Sequence, residues 1–418
     1  MPLSHEPPLS VKRIAELEPV LSDLQANILT GLRCDHACYG FVRFSGANVE
    51  ALRAAIAAIP LTSAFDNRPQ SEVLRPVLTL GLSFRGARTL QIPEPYGGFE
   101  GTFRNGFRHY AESTLKESTG HWRAPFTGPA IDALITVASP ERFDARATAE
   151  RVTAMLARVA DIEWQNGFVR RNDAGRPIEH FGFVDGISQP VFLESDLAEH
   201  SSGDHHGVSL PLRAVLRPQE LGRERYWSYL VFLKMEQNVE AFHRAVDELA
   251  KNVTAQECPR EYAKALICGR YPDGRPVIEP ESYHNNFSYT ADADGRVCPL
   301  GSHIRKMNPR TESTIGNRIA RRGVLYQEPS GERGVLFQCY QGSLEDQFEI
   351  LMNKWGRTND VFERDAGMDP FLGNSQSTAQ AWPRCPGGGK IEQKITSLVT
   401  IRGGEYFYVP SLSLLKAL

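Results

Sequence analysis

The heptapeptide CYGFVRF at 38–44 and the run that follows it at 49–59 decide the fold class. The heptapeptide is dense in aromatic and aliphatic side chains, which suit a pleated surface, and reads as a strand. The run after it places apolar residues at helical spacing and reads as an amphipathic helix. Farther along, VLTLGLSF at 77–84 is a second strand, 133–137 a third, and 145–159 a second long helix. A similar progression starts near Tyr226. YLVFLK at 229–234 is a strand, 238–252 a helix, GVLFQCY at 334–340 a strand, 344–355 a helix, and EYFYV at 405–409 a last strand. The strands are few and irregularly spaced, which disfavours a long doubly wound parallel sheet. The pattern predicts an α+β fold of two sandwiches, each a mostly antiparallel sheet with helices on one face. The two stretches are alike in pattern, without a clear residue-level repeat.

A chain of 418 residues exceeds the roughly 250–300 residues that one core usually serves. The expected division is an N-terminal extension at 1–22, a first domain at 23–200 and a second at 201–418. The largely polar segment 195–225 lies at the junction. Asp204-His205-His206 within it reads as solvated loop, since neighbouring side chains diverge.

Net charge is −3, and no basic stripe of the kind nucleic acid requires is present. The nearest cluster, Arg305, Lys306 and Arg310, is small enough to be a solvated face or a local anion site. No stretch reaches the roughly 18 apolar residues of a membrane helix. Residues 1–19 hold acids and prolines but no apolar signal core, so the expected location is the cytoplasm. Seven cysteines, an odd number at low density, do not form a secreted disulfide framework. Cys34-Asp-His-Ala-Cys38 lacks a second ligand pair for zinc and reads as a loop entering a strand.

Three segments carry chemistry. His303 follows Cys298-Pro-Leu-Gly-Ser302, so a turn places it just beyond a loop. Taken alone, such a histidine is more often structural than a ligand. Asp185 stands between Gly182 and Gly186 in EHFGFVDGISQP at 179–190. Glycine permits positive φ and close backbone approach, so this carboxylate could face a flat ligand; a plain Asx turn has the same look. Arg318-Ile-Ala-Arg321-Arg322-Gly323 precedes a strand start. An arginine there can reach into a pocket with several permanent donors, or belong to a basic surface cluster.

Taken together, these segments resemble the dye-decolourising peroxidase family, in one of its larger subgroups. GFVDGISQP at 182–190 is similar to that family's distal-aspartate signature, GSHIRKMNPR at 301–310 to its proximal-histidine segment, and RRGVLY at 321–326 to its distal-arginine segment. The resemblance extends to LQANILTGL at 24–32, QGSLEDQFEILMNKW at 341–355, DPFLG at 369–373 and RGGEYFYVPSL at 402–412, and so covers about residues 20–418.

The resemblance implies two ferredoxin-like domains with haem held mainly by the second. It implies one haem b per chain, with His303 as the proximal iron ligand and Asp185 and Arg321 on the distal side. Glu345 matches the acid that hydrogen-bonds the proximal histidine, or Asp346 if the alignment slips by one. Gly186 and Phe337, with Leu336, are expected at the pocket. Arg305 and Arg310 are candidates for the propionates, weighed against surface placement. Tyr326 and Trp355 are candidate electron relays, weighed against plain core positions. A thiolate ligand from Cys298 or Cys339 would abandon the matched pattern, and no Cys-x-x-Cys-His is present for covalent attachment.

These residue types suit the chemistry. A histidine ligand leaves the sixth iron position open, and a carboxylate on its other nitrogen fixes the tautomer and increases donation. An aspartate shuttles a proton between peroxide oxygens and remains a base at acidic pH, where histidine is charged; that predicts an acid-shifted optimum. The implied activity is reduction of hydrogen peroxide coupled to one-electron oxidation of phenols, dyes or other small aromatic donors. No nucleic-acid or membrane partner is expected, and a homo-oligomer is compatible. The alternatives are a haem carrier or sensor, and a porphyrin-modifying, deferrochelatase-like enzyme; a haem-free interaction module comes last.

Overall fold

The first strand, β1 (His36–Phe44), lies at the centre of the N-terminal half, buried at almost every position. The chain continues through α2 (Val49–Ala57), β2 (Val77–Leu82), α3 (Gly101–Ser113), β3 (Ala133–Ser139), α4 (Arg142–Leu156) and β4 (Ala160–Phe168). A short helix, α1 (Glu18–Asp23), precedes them. β1 pairs antiparallel with β3 on one side and β4 on the other, and β3 pairs with β2. The spatial order is β4-β1-β3-β2. The coordinates are a computed structural model describing residues 17–45, 48–68, 76–193, 210–254, 258–283, 285–361 and 364–418.

The C-terminal half repeats the plan. It contains β5 (Tyr226–Gln237), α5 (Val239–Ala250), α6 (Pro259–Cys268), α7 (His303–Met307), β6 (Ala320–Arg321), β7 (Val324–Gln327), β8 (Arg333–Gln341) and β9 (Val399–Val409). β5 pairs antiparallel with β8 and β9, and β8 pairs with β7, giving β9-β5-β8-β7. The strand order of the first half therefore recurs position for position. A residue-level echo, absent from the pattern reading, accompanies it: the helix after the first strand of each half starts on an asparagine. Asn48 Oδ1 accepts the Ala51 N–H at 3.0 Å, and Asn238 Oδ1 the Ala241 N–H at 3.0 Å. Each satisfies one of the orphan donors at a helix start.

The two half-sheets join at thin seams, Leu325 opposite Phe168 and Tyr408 opposite Leu82, so the strands close into a ring. All ladders named here are antiparallel, and the architecture is α+β. Aromatic side chains fill the ring. Phe41 of β1 meets Phe232 of β5 edge-on at 5.0 Å, and Tyr39 meets Phe232 at 5.4 Å. Such pairs contribute about 0.5–1.5 kcal/mol each beyond area burial, here across the halves.

Most predicted strands and helices form within a few residues of the expected bounds. The exceptions have physical causes. β4 was missed although Ala160, Ile162 and Trp164 alternate with Asp161, Glu163 and Gln165; the alternation is short and ends at Asn166-Gly167, yet the strand pairs with β1 along its length. The helix expected at 344–355 forms as two π-wound segments, Leu344–Phe348 and Ile350–Gly356. Leu21 of α1, within the extension expected at 1–22, is buried in the core. Asp23 then accepts the Ser413 N–H, tying the two ends of the chain together. The expected boundary at 200/201 and Asp204-His205-His206 lie outside the described residues. Among the described residues no helix is long and apolar enough to cross a membrane.

Candidate active site

Side chains alternate along a strand, so Phe232 faces the interior of the ring while Leu233 and Met235 face outward. Leu233 and Met235, with Val335 and Phe337 of β8, form one wall of a cavity of about 320 Å³. Phe348, Leu351 and Met352 of the π-wound segments contribute another part, and α7 brings His303 to it. The loop 179–190 from the first half supplies Asp185 and Gly186. His303, Asp185, Gly186, Arg321 and Phe337 thus share one cavity.

His303 is the first residue of α7, immediately after Ser302. The preceding turn needs glycine at 301 because a Cβ there would lie 2.5 Å from the Ala366 carbonyl oxygen. That close approach brings the 366–372 segment alongside α7. His303 Nδ1 lies 2.7 Å from Asp369 Oδ2. Asp369 is completely buried, and its Oδ1 accepts the Phe371 N–H at 2.8 Å and the Leu372 N–H at 2.9 Å. Burial opposes ionisation of this carboxyl, but His303 and the two N–H donors outweigh it and hold the pKa below the usual carboxylate range. With Nδ1 engaged, Nε2 is the ring nitrogen left for a ligand in the cavity.

This pairing corrects the expectation placed on Glu345 or Asp346. Both belong to the first turn of the π-wound segment, where acidic groups meet unpaired N–H groups. Glu345 Oε1 accepts the Thr102 N–H at 3.4 Å, and Asp346 shares a capping interaction with Ser343. Asp369 stood in the quoted DPFLG segment, and an aspartate ahead of Pro-Phe-Leu signals an Asx-type turn. Its partner was not legible there, because the turn reaches a histidine 66 positions away.

Both glycines flanking Asp185 adopt positive φ, +98° at Gly182 and +83° at Gly186. Nothing crowds a Cβ at either position, so backbone conformation alone calls for glycine. Glu179 pins the loop by accepting the Phe181 and Phe183 N–H groups, both at 2.8 Å, and the Gln237 amide from β5. Burial raises the Glu179 pKa against the pull of those donors. Phe181 stacks on Phe242 of α5 at 4.5 Å and on Phe371 at 5.3 Å. A first-half loop is thereby fastened to the second half. The Gly186 N–H donates to Asp185 Oδ1 at 2.7 Å, leaving Oδ2.

Arg321 lies on β6, paired to β8 opposite Cys339, and donates to Ser188 Oγ at 3.0 Å. Its neighbour Arg322 turns toward the N-terminal loop and donates to the carbonyls of Asn27, Ile28 and Leu29. Asp185, Gly186 and Arg321 also wall a second cavity of about 330 Å³ on the side of the first half.

The structure corrects the arginine assignments. Arg305 is buried and engaged with Asp292, at 2.9 Å to Oδ2 and 2.7 Å to the backbone oxygen, away from the cavity wall. Arg310 stands behind the wall, donating to Asn285 Oδ1 at 2.7 Å and stacking over Phe287. The wall itself carries Arg270, Asn285 and Arg318. Arg270 and Arg310 both donate to Asn285 Oδ1. Burial and the neighbouring Arg310 push both Arg270 and Arg318 down to about 10. Arg270 was missed because it follows a helix end with no local signal.

Tyr326 is fully buried, off the cavity wall, with its hydroxyl donating to Glu332 Oε1 at 3.1 Å. Trp355 is half-buried on the second π-wound segment, also off the wall. Cys298 and Cys339 are buried off the wall, and burial raises both thiols. Cys38 is buried in β1 and bonds Asn166 Oδ1. Among the described residues no group of three or more His, Cys, Asp or Glu side chains gathers to hold a metal. An imidazole backed by a carboxylate, apolar walls and concentrated guanidinium charge together fit a flat apolar macrocycle that carries acidic groups and an iron.

The Dyp-type peroxidase C-terminal family model matches residues 227–367. The multifunctional dye peroxidase DyP2 of Amycolatopsis sp. is 32% identical over 389 residues, covering 82% of each chain. Its solved structure superposes with a TM-score of 0.90 over 99% of both chains, at 28% identity. A DyP-type peroxidase of Anabaena sp. has a TM-score of 0.89 and 32% identity, covering 98% of this chain and 96% of that one. A deferrochelatase of Yersinia pestis is 37% identical over 204 residues, 46% of this chain and 42% of that protein. The chain belongs to the Dyp-type peroxidase family, whose members are haem peroxidases.

Proposed function

We propose that this chain reduces hydrogen peroxide and oxidises phenols or dyes by one-electron steps, using one haem b held by His303 Nε2. The observation that carries the reading is the shared cavity. The His303–Asp369 pair lines it together with Asp185, Arg321 and the Arg270–Arg318 wall. The two halves are read as ferredoxin-like domains, since both strand orders follow the split βαβ plan. Most of the cavity lining comes from beyond Tyr226, so the second half is the main holder of haem.

Bound haem supplies the electrons that cleave peroxide and then withdraws single electrons from donors. Asp369 keeps the Nδ1 proton on His303, which fixes the tautomer and makes Nε2 a stronger donor. Asp185 Oδ2 takes the proton from one peroxide oxygen and delivers it to the other as the O–O bond parts, worth roughly 10²–10⁴ in rate. Arg321, oriented by Ser188, offers its guanidinium to the negative charge on the departing oxygen. Arg270 and Arg318, on the cavity wall, would pair with the haem carboxylates, and Arg310 supports Asn285 from behind. Phe337 and Gly186 line the cavity, where they would pack against the macrocycle. Tyr326, hydrogen-bonded to the half-buried Glu332, and Trp355 stand as secondary relay candidates. All seven cysteines are unpaired, which agrees with a reducing, cytoplasmic setting.

The deciding experiment is a visible absorption spectrum of the haem-loaded protein before and after one equivalent of hydrogen peroxide. The expected result is a Soret band that moves with peroxide, with the movement lost in Asp185→Asn. A Soret band that peroxide leaves unchanged would favour a carrier or sensor. The deferrochelatase similarity supports a second, porphyrin-modifying reading, although it covers less than half of the chain. Iron-free porphyrin after incubation with haem would establish that activity.

A further inference from the structure

Lys306 follows His303 by about one helical turn on α7 and is 1% exposed. Its ammonium donates to the Thr358 carbonyl at 2.7 Å and the Gly367 carbonyl at 2.6 Å. Thr358 follows the second π-wound segment, and Gly367, at φ +70°, precedes Asp369 by two residues. One ammonium therefore joins the helix that carries His303, the end of the second π-wound segment and the segment that carries Asp369. Burial pushes its pKa down to about 8, against the upward pull of Asp369, Asp360 and Asp365. A buried ammonium bonded to carbonyls is costly to keep, and an uncharged side chain of similar length would fill the same space.

We propose that Lys306 is a positioning residue whose charge limits how strongly Asp369 pulls on the His303 Nδ1 proton. The inference rests on the reading of His303 as the iron ligand. An ammonium held on the Gly367 carbonyl, two residues before Asp369, stabilises the carboxylate and weakens it as a proton acceptor. The imidazole then keeps more of its neutral character, and Nε2 donates less to the iron. Weaker donation raises the reduction potential, leaving the oxidised enzyme a stronger oxidant toward its donors. Lys306 thus offsets part of the donation that Asp369 promotes.

The test is the ferric/ferrous reduction potential of the haem-loaded protein with Lys306→Met, Lys306→Gln and Lys306→Arg. Glutamine keeps a donor without charge; arginine keeps the charge. Methionine and glutamine are expected to lower the potential by an amount on the order of tenfold in the reduction equilibrium, 59 mV for a one-electron couple. Arginine is expected to leave it near the parent value. The opposite sign would overturn the proposal: if Lys306 only pins the Gly367 carbonyl, its loss loosens Asp369, donation weakens and the potential rises. An unchanged potential in both neutral variants would overturn it equally. If methionine fails to fold, glutamine carries the test. His303→Ala is the separate control: if it keeps the parent spectrum and potential, the ligand assignment fails whatever Lys306 does.

Discussion

Asp369 Oδ2 lies 2.7 Å from His303 Nδ1 across a separation of 66 residues, and the same carboxylate closes its own turn through the Phe371 and Leu372 N–H groups. One buried charge thus orients a candidate iron ligand and shapes the loop that delivers it. Removing that carboxylate takes away both functions.

Asp369→Ala should lower stability by roughly 3–5 kcal/mol, the range for breaking a buried charged network. Denaturant unfolding of the haem-free protein measures this. The pH dependence has a definite sign. The Asp369 pKa is depressed in the folded state, so its contribution is fully present above the ordinary carboxylate range and is lost as pH falls through the folded value. The stability difference between parent and Asp369→Asn should therefore shrink in acid. A gap that widens with acidification would refute the pairing as a source of stability.

Asp185→Asn should retain haem and lose roughly 10²–10⁴ in the rate of reaction with peroxide. Arg321→Leu should cost about 3–4 kcal/mol of transition-state stabilisation. Stopped-flow absorbance at the Soret band reads both. Equal loss of haem content and rate would mean that these side chains hold the cofactor instead of acting on peroxide.

Gly186→Ala meets no steric obstacle, since nothing lies within 4 Å of the added Cβ. The cost is conformational, about 1–2 kcal/mol for an L-residue at positive φ. The variant should fold with a near-parent thermal midpoint and bind haem, yet react slowly with peroxide because Asp185 is re-aimed. Parent-like kinetics would show that the loop tolerates another conformation.

Arg270→Met and Arg305→Met should separate two uses of arginine. Arg270 lines the cavity, so its loss should weaken haem retention, measured by transfer of haem to an apo-globin acceptor. Arg305 is engaged by Asp292, so its loss should mainly destabilise the fold by roughly 3–5 kcal/mol, leaving a buried carboxylate with the Arg296, Val297 and Cys298 N–H groups but without its countercharge. A faster haem loss in Arg305→Met than in Arg270→Met would reverse this division.

Much of the fold was legible in the chain because strands and helices are written in local periodicity. CYGFVRF, YLVFLK and their following helices could be read without reference to anything distant. The turn chemistry was legible for the same reason: positive φ at Gly182 and Gly186 is a property of those residues, and it places Asp185. Recognition of the three site segments depended on their short, fixed spacing. β4 was missed because its alternation is short and ends at Asn166-Gly167, even though β1 pairs with its whole length.

Partnership between distant groups was decided by tertiary structure. Arg305 and Glu345 carried the right chemistry near the right motifs, but the first was claimed by Asp292 and the second by a helix start. Asp369 meets His303 in place of Glu345, and Arg270 lines the cavity where Arg305 does not, through the close passage of 366 past Gly301 and the convergence of arginines on Asn285. The sequence by itself determined which chemical groups are present, which local structures they favour and which loop geometry holds Asp185. Only the packed structure decided which carboxylate meets His303 and which guanidinium meets the cavity, because a hydrogen bond of under 3 Å between remote residues depends on every packed contact that positions their segments.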